Sequence, residues 1–288
     1  MGPTASGKTA LAEAIAERLD AWLVNADAFQ VYRGMDIGTA KPVERSRYRL
    51  LDIKDPNERF SVGEWVERAI QVLNAAWTES RNVVTVGGSG LYVRALFEEY
   101  AMMGPPPTEG LREALAARLE SEGLEALREE LRCMDQASWE RTDLNNPQRV
   151  LRALERVQLG ECASPIKTPP FKRRKFALNA DPGALAARIE VRTRQMVEEG
   201  WLTEVNELLA KGYSVDDPGF RAHGYRAMAS VVVGELPLAE AIARTTVEVR
   251  QYAKRQRTWL RKEPVLEWLP GCMIDESIEA ILKSLANA

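Results

Sequence analysis

The sequence predicts an α/β fold in which a P-loop parallel-sheet core carries a helical insertion domain. The chain opens with a glycine-rich phosphate loop that leads directly into a helical pattern. Short apolar or β-branched runs then alternate with glycine turns and helices, which is typical of a parallel sheet. After Pro105-Pro106-Pro107 the pattern becomes helical. We therefore expect the first part of the core at 1–107, the insertion at 108–165, and the second part, with basic helices, at 166–288.

The first element is the phosphate loop. It matches G-x-x-x-x-G-K-[ST] at every fixed position and consists of Gly2, Pro3, Thr4, Ala5, Ser6, Gly7, Lys8 and Thr9. Its glycines let backbone N–H groups surround a phosphate, Lys8 adds a positive charge, and Thr9 can ligate Mg²⁺. A helix from Ala10 to Leu19 follows. A P-loop normally follows a buried strand. Only Met1 precedes this one, so either the sequence lacks that strand or Met1 is a late start.

Two predicted strands end in polar or glycine-rich segments. Trp22-Leu23-Val24 predicts a strand that ends near Asp27, where functional residues of parallel sheets collect. Asp27 is a candidate Mg²⁺ ligand or general base, and a solvated turn aspartate is the alternative. The strand 82–86 leads into a glycine turn that contains Ser89. Between them the sequence predicts a loop at 30–42, a short strand at 50–53 and a helix at 62–77.

The insertion and the second core part are mainly helical. Leu111, Leu115 and Leu119 share one helical face, and a second leucine face follows Gly123. Asn146-Pro147 begins a helix that runs to about Leu159 and is closed by Gly160. A strand at 176–178 returns to the sheet, and long helices follow to about Arg261.

Composition excludes several classes of protein. The three cysteines lack any CxxC spacing, and His223 is the only histidine, which excludes cysteine-built zinc sites and Ser-His-Asp chemistry. No apolar run approaches the roughly 20 residues needed to cross a bilayer. We therefore expect a cytoplasmic protein with no membrane partner.

The net charge of −3 conceals basic faces. Arg250, Lys254, Arg257 and Arg261 recur at spacings of four, three and four, which places them on one helix face. Arg149, Arg152 and Arg156 form a second basic face, and Lys172-Arg173-Arg174-Lys175 is a third cluster. These faces indicate a polyanion larger than a nucleotide. No kinase catalytic loop accompanies the P-loop.

Together these motifs resemble the bacterial tRNA dimethylallyltransferases, also called tRNA isopentenyltransferases. The resemblance runs nearly end to end. It includes the P-loop GPTASGKT, the segment DAFQVYRGMDIGTAKP at 27–42, GGSGLY at 87–92, NPQRVLR at 146–152, GFRAHGYR at 219–226 and KRQRTWLR at 254–261. The DIGTAKP and KRQRTWLR stretches are the most specific.

The resemblance implies transfer of a dimethylallyl group from dimethylallyl pyrophosphate to N6 of the adenine 3′ of the anticodon (position 37). The P-loop would bind the donor's pyrophosphate with Mg²⁺ at Thr9, helped by Arg221, and Asp27 would accept the N6 proton. The resemblance also implies a monomer and assigns tRNA contacts to Asp27, Ala28, Phe29, Gln30, Ser89, Arg112, Gln148, Arg149, Val150, Leu151 and Arg152. Ala28 and Ser89 stand where relatives commonly have serine and threonine, and the eukaryotic zinc-finger extension is absent.

Three alternatives remain at this point. A prenyltransferase acting on free AMP would share the P-loop and Asp27 but would need no basic insertion helix. A small-molecule kinase of the P-loop class would form ADP from ATP. An RNA-binding module without activity would leave Lys8 and Asp27 without a role.

Overall fold

The structure, a computed structural model of the chain, describes residues 1–97, 109–160, 167–270 and 274–287. It divides into a core unit, Met1–Glu98 with Thr168–Ala288, and a helical unit, Glu99–Lys167. The predicted insertion at 108–165 falls inside the helical unit. The predicted break at Pro105-Pro106-Pro107 lies outside the described residues.

The core unit contains a parallel three-stranded sheet, which confirms the predicted α/β class. Its central strand is β1 (Ala21–Asn25), which pairs with β2 (Tyr48–Arg49) on one side and β3 (Asn82–Val86) on the other. Leu23 lies opposite both Tyr48 and Val84. The carboxyl ends of β1 and β3 therefore lie at the same edge, where Asp27 and Ser89 follow them.

The strand predicted at 50–53 is wrong in position, because the pairing residues are Tyr48 and Arg49. Leu50 and Asp52 adopt positive φ angles of 66° and 53°, which no regular strand accommodates. The carbonyl of Leu50 accepts a hydrogen bond from Asn25 Nδ2 at 3.1 Å, so this segment bends to serve the β1 terminus.

A second parallel pair is formed by β4 (Phe176–Asn179) and β5 (Glu267–Pro270). Met1 extends this pair, because its amino group donates to the Phe176 carbonyl at 2.5 Å and its carbonyl accepts from Leu178 N at 3.1 Å. The P-loop therefore begins beside β4.

Helices cover both parts of the core unit, and side chains or proline begin several of them. Ser61 accepts a hydrogen bond from Glu64 N, and Asp181 accepts one from Ala184 N ahead of Pro182. The helices are α1 (Lys8–Arg18), α2 (Val62–Thr78), α3 (Gly90–Phe97), α7 (Pro182–Glu198), α8 (Trp201–Ala210), α9 (Tyr225–Val232), α10 (Leu238–Leu260) and α11 (Ile274–Ala286).

The helical unit contains α4 (Glu109–Met134), α5 (Gln136–Arg141) and α6 (Pro147–Gln158). Gly123 interrupts α4 with φ 81° and ψ 169°, as the sequence pattern predicts. Asn146 caps α6 by accepting from Arg149 N. The leucine faces pack into one core of Leu115, Leu127, Leu131, Val150, Leu151 and Leu154. In the part of the chain that the structure describes, no helix is long and apolar enough to cross a membrane.

The DIGTAKP segment is fixed by buried charges. Lys41, whose side chain is 1% exposed, donates to the Tyr32 carbonyl at 2.5 Å, Asp36 Oδ1 at 2.8 Å and Asp52 Oδ1 at 2.5 Å. The Glu204 carboxylate accepts from the amides of residues 36, 37 and 38 at 2.6 to 3.3 Å. The specificity of this motif is therefore partly structural.

We predict that Lys41→Met lowers the free energy of unfolding by about 3 kcal/mol, because it removes the buried cation of the network and leaves Asp36 and Asp52 with partly exposed Arg45 alone. Urea denaturation measures this loss. Lys211→Met, which removes an exposed lysine, is the control and should change stability little. A Lys41→Met protein as stable as that control would contradict the structural role of the motif.

Candidate active site

The P-loop places backbone amides around the start of α1. Ala5 and Gly7 adopt positive φ angles of 58° and 87°, which reverse the chain just before the helix begins at Lys8. A Cβ on Gly2 would lie 2.6 Å from Ser6 Oγ, so glycine is required there by close packing. Among the residues that the structure describes, no side chain caps α1, and the N–H groups of its first turn are therefore available to an anion.

Lys8 is a half-buried cation inside this loop. Its Nζ is 3.5 Å from the Pro3 carbonyl. Burial lowers the pKa of Lys8 to about 8; the Asp27 carboxylate opposes this shift, and the Arg192 guanidinium adds to it. A bound polyanion would stabilise the charged form.

Asp27 is held at the end of β1 by a local network. Asn25 Oδ1 accepts from Asp27 N at 3.0 Å, while Asp27 Oδ1 accepts from Phe29 N at 3.0 Å. Asn25 is itself buried, and its carbonyl accepts from Trp65 Nε1 at 2.8 Å. Asp27 Oδ2 has no hydrogen-bond partner among the described residues, so this oxygen is free to accept a substrate proton.

Two cavities meet at Asp27. The phosphate cavity, of about 60 Å³, is lined by Thr4, Lys8, Thr9, Asp27 and Arg192, among others. The aromatic cavity, of about 90 Å³, is lined by Phe29, Met196, Trp201, His223 and Tyr252, among others. Asp27 and Arg192 line both. A ligand with a charged end and an apolar end is what this arrangement fits.

Arg192 is the site residue that the sequence analysis missed. It lies on α7, and burial lowers the pKa of its guanidinium. It makes no hydrogen bond or ion pair with any residue that the structure describes, so its donors are available to a ligand. A signal was present in the sequence: Leu185, Ile189, Arg192 and Met196 are spaced as one apolar helix face, on which an arginine is unexpected.

Arg221 does not lie with these groups. It ends a 3₁₀ helix, Pro218–Arg221, is exposed, and lines neither cavity. Its predicted part in neutralising pyrophosphate therefore remains a prediction, and Arg192 occupies the position expected for that part.

The predicted tRNA contacts of the core unit surround the cavities. Phe29 lines the aromatic cavity, and Gln30 lines the phosphate cavity with Nε2 donating to the Thr39 carbonyl at 3.0 Å. Ser89 Oγ accepts from Ala28 N at 3.1 Å, which ties the glycine turn to the residue after Asp27. The Ser89 hydroxyl therefore helps to position the backbone beside Asp27.

His223 forms a wall of the aromatic cavity. Its ring lies 6.4 Å from that of Phe29 and 4.6 Å from that of Tyr252. Burial holds the pKa of His223 below its usual value, with the Glu248 carboxylate opposing the shift. The imidazole is therefore neutral at pH 7.

The helical unit presents a separate basic face. Gln148, Arg149 and Arg112 are exposed, and Arg149 Nη1 lies 3.2 Å from Asp143. Buried Glu155 accepts from Arg112 Nε at 2.9 Å and Arg152 Nη1 at 2.9 Å, and these two arginines lower its pKa against the opposing effect of burial. One carboxylate orients two cations.

The side chains of Val150 and Leu151 do not belong to that face. They are 0% and 6% exposed within the leucine core. The amphipathic pattern of α6 turns these side chains inward while the arginines face outward, and the predicted contact of Val150 and Leu151 with tRNA stays a prediction.

An acidic residue neutralises part of the basic face predicted on α10. Lys254 and Arg261 are exposed and Arg257 is half-buried, but Arg250 pairs with Glu190 at 2.9 Å. The aromatic residues that interleave with these cations turn inward: Tyr252 lines both cavities, and Trp259 lies beneath Arg94 at 4.5 Å. In the third cluster, Lys175 is buried against Glu263 at 2.7 Å.

Comparison with known proteins finds relatives along nearly the whole chain. A family model described as IPP transferase matches residues 30–263. The chain is 34% identical to a tRNA dimethylallyltransferase of Heliobacterium modesticaldum over all of this chain and 94% of that relative, and 37% identical to tRNA dimethylallyltransferase 2 of Geotalea uraniireducens over 93% of this chain and 90% of that relative.

Solved structures show the same likeness. A tRNA isopentenylpyrophosphate transferase of Bacillus halodurans superposes with a TM-score of 0.73 at 34% identity, covering 99% of this chain and 94% of the other. A eukaryotic dimethylallyltransferase acting on tRNA superposes with a TM-score of 0.80 at 20% identity, covering 99% of this chain and 77% of the other, and this match shows the fold alone.

We predict that affinity for inorganic pyrophosphate falls as pH rises through about 8, because the raised pH removes the Lys8 proton and with it the charge that attracts the anion. Calorimetry between pH 7 and 9 measures the profile. Lys8→Arg, whose guanidinium stays charged in this range, should bind more weakly but without the inflection. An inflection of the same size in both proteins would contradict the assignment to Lys8.

Proposed function

This chain belongs to the IPP transferase family, and we propose that it moves the dimethylallyl group of dimethylallyl pyrophosphate to N6 of the adenine 3′ of the anticodon, position 37, of a tRNA. It is a transferase, and pyrophosphate is the second product. One observation carries the proposal: Lys8 and Arg192 line a phosphate cavity that shares Asp27 with an aromatic cavity.

The two cavities match the two halves of the donor. Pyrophosphate carries several negative charges, which Lys8, Arg192 and the P-loop amides would neutralise. The dimethylallyl group is apolar and would lie beside Phe29 and Tyr252. Allylic C1 would then lie near Asp27, at the boundary between the two cavities.

The reaction is a displacement at C1. N6 of adenine attacks C1, the C1–O bond breaks, and its electron pair leaves on the pyrophosphate oxygen. An adenine amino group is a weak nucleophile because its lone pair is delocalised into the ring, so loss of its proton to Asp27 Oδ2 assists attack. Lys8 and Arg192 stabilise the charge that grows on the leaving oxygen.

Mg²⁺ is the cofactor that the donor set favours. Thr9 lines the phosphate cavity and offers a hydroxyl oxygen, a hard ligand that Mg²⁺ accepts together with phosphate oxygens and water. The ion would supply further positive charge to the leaving pyrophosphate. We also propose that exposed Arg221 helps to neutralise the leaving pyrophosphate.

The acceptor is tRNA. The adenine must leave the stack of the anticodon loop to reach C1, and Phe29, Gln30 and Ser89 are the residues proposed to meet it. Gln148, Arg149, Arg152 and Arg112 are proposed to contact the phosphate backbone from the helical unit. We further propose that the enzyme acts in the cytoplasm as a monomer.

We predict that Asp27→Asn lowers the rate of label transfer from dimethylallyl pyrophosphate to unmodified tRNA by about 10²- to 10⁴-fold, because asparagine keeps an oxygen for Phe29 N but accepts no proton. Asp216→Asn, at a side chain that is 91% exposed, is the control and should leave the rate unchanged. Label that enters AMP and never tRNA would instead identify the AMP prenyltransferase, and ADP formed from ATP would identify a kinase.

We predict that replacing Arg149 and Arg152 together with alanine weakens tRNA binding and reduces its salt dependence by about two counterions, since each arginine neutralises about one phosphate. Filter binding between about 50 and 200 mM salt measures the slope. The double variant Arg132→Ala/Arg141→Ala removes the same charge elsewhere in the helical unit and serves as the control. Equal slopes for the two double variants would contradict a specific role for the α6 face.

A further inference from the structure

We propose that Gln256 is the positioning residue that fixes the P-loop of this enzyme in its pyrophosphate-binding conformation. It lies in the KRQRTWLR stretch of α10, where every charged neighbour suggests a tRNA contact, yet its side chain points away from them. Gln256 is 7% exposed and lines the phosphate cavity. The inference rests on the proposed function, because it concerns the site for the donor's pyrophosphate.

Gln256 connects two loops that are remote in sequence. Its Oε1 accepts from the amide of Thr4, inside the P-loop, at 2.8 Å. Its Nε2 donates to the carbonyl of Gly88, in the turn after β3, at 3.0 Å. The same turn carries Ser89, whose hydroxyl accepts from Ala28 N beside Asp27. One amide therefore sets the P-loop against the segment that holds the proposed base.

The orientation of this amide is determined by its partners. A backbone N–H can only donate and a carbonyl can only accept, so Oε1 must face Thr4 and Nε2 must face Gly88. Glutamate has the same shape but no donor, and its carboxylate would confront the Gly88 carbonyl. The glycine is also required, since a Cβ on Gly88 would collide with Nε2 of Gln256.

The P-loop needs this restraint because its conformation is strained. Ala5, directly after Thr4, adopts a φ of 58°. Residues other than glycine, asparagine and aspartate seldom occupy this region. The hydrogen bond from Gln256 restrains the residue before the strained one. It also occupies the Thr4 amide, which leaves the later amides of the loop as the donors for phosphate.

The two sides of α10 have different surroundings, and Gln256 lies on the buried side. Lys254, Arg255 and Arg261 are exposed, whereas Ala253, Gln256 and Leu260 are buried. The same helix thus offers cations to a polyanion and fixes the donor loop. Gln256 should affect pyrophosphate binding and leave the tRNA face intact.

Binding of inorganic pyrophosphate with Mg²⁺, followed by calorimetry, tests the proposal. We expect Gln256→Glu and Gln256→Met to weaken pyrophosphate binding by about tenfold, the usual effect of leaving a buried polar group without its partner. Gln251→Glu is the matched control, because it makes the same change at an exposed position of the same helix. Affinity for tRNA should be equal in Gln256→Glu and Gln251→Glu.

A residue that only stabilises the core would give a different result. The melting midpoint would fall, but pyrophosphate affinity of the folded variant would equal that of the wild type, and this would overturn the proposal. Equal losses of tRNA and pyrophosphate affinity would also overturn it. If Gln256→Glu does not fold, the pyrophosphate affinity of Gln256→Met, which adds no buried charge, tests the proposal. Pyrophosphate binding requires no transfer to tRNA, so wild type that binds pyrophosphate but transfers no label would contradict the proposed function alone.

Discussion

The structure depends on the placement of two cations, Lys8 and Arg192, beside one carboxylate in a partly desolvated cavity. Burial lowers the pKa of both, and the opposing effect of Asp27 on both and of Glu199 on Arg192 does not cancel this shift. Such a site is electrostatically incomplete until a polyanion enters it. The surrounding features serve this arrangement: Asn25 fixes the backbone beside Asp27, and the strained P-loop presents its amides and Lys8.

The motifs that distinguish the family divide into residues for chemistry and residues for support. Lys41 and Glu204 neutralise and hydrogen-bond the DIGTAKP segment, so that Thr39 and Ala40 line both cavities. In the KRQRTWLR stretch, Gln256 supports the P-loop while its charged neighbours face solvent. In the helical unit, buried Glu155 orients Arg112 and Arg152. Burying charge in this way is costly, and hydrogen bonds compensate it for Glu204 while ion pairs compensate it for Lys41 and Glu155.

Local patterns allowed much of this to be predicted from the sequence. The P-loop, the strands that end near Asp27 and Gly87, and the kink at Gly123 follow from residues close together in the chain. Gln256 could not be assigned in this way, because it bonds to residues 252 and 168 positions away. Arg192 stands out on an apolar face of α7, but the sequence does not show that this face lies beside the P-loop. The short strand was misplaced because Asn25, in β1, determines the conformation of Leu50. The side chains of Val150 and Leu151 are buried, and a motif match does not say which of its residues make a contact and which support it.

The central claim is that this P-loop assists cleavage of a carbon–oxygen bond, where P-loops of kinases assist cleavage of a phosphorus–oxygen bond. Dimethylallyl pyrophosphate labelled with ¹⁸O at the oxygen between C1 and phosphorus tests it directly. After turnover with unmodified tRNA, mass spectrometry should find the ¹⁸O in the released pyrophosphate, because attack occurs at C1. Label found in dimethylallyl alcohol, with unlabelled pyrophosphate or phosphate, would show attack at phosphorus and would contradict the account.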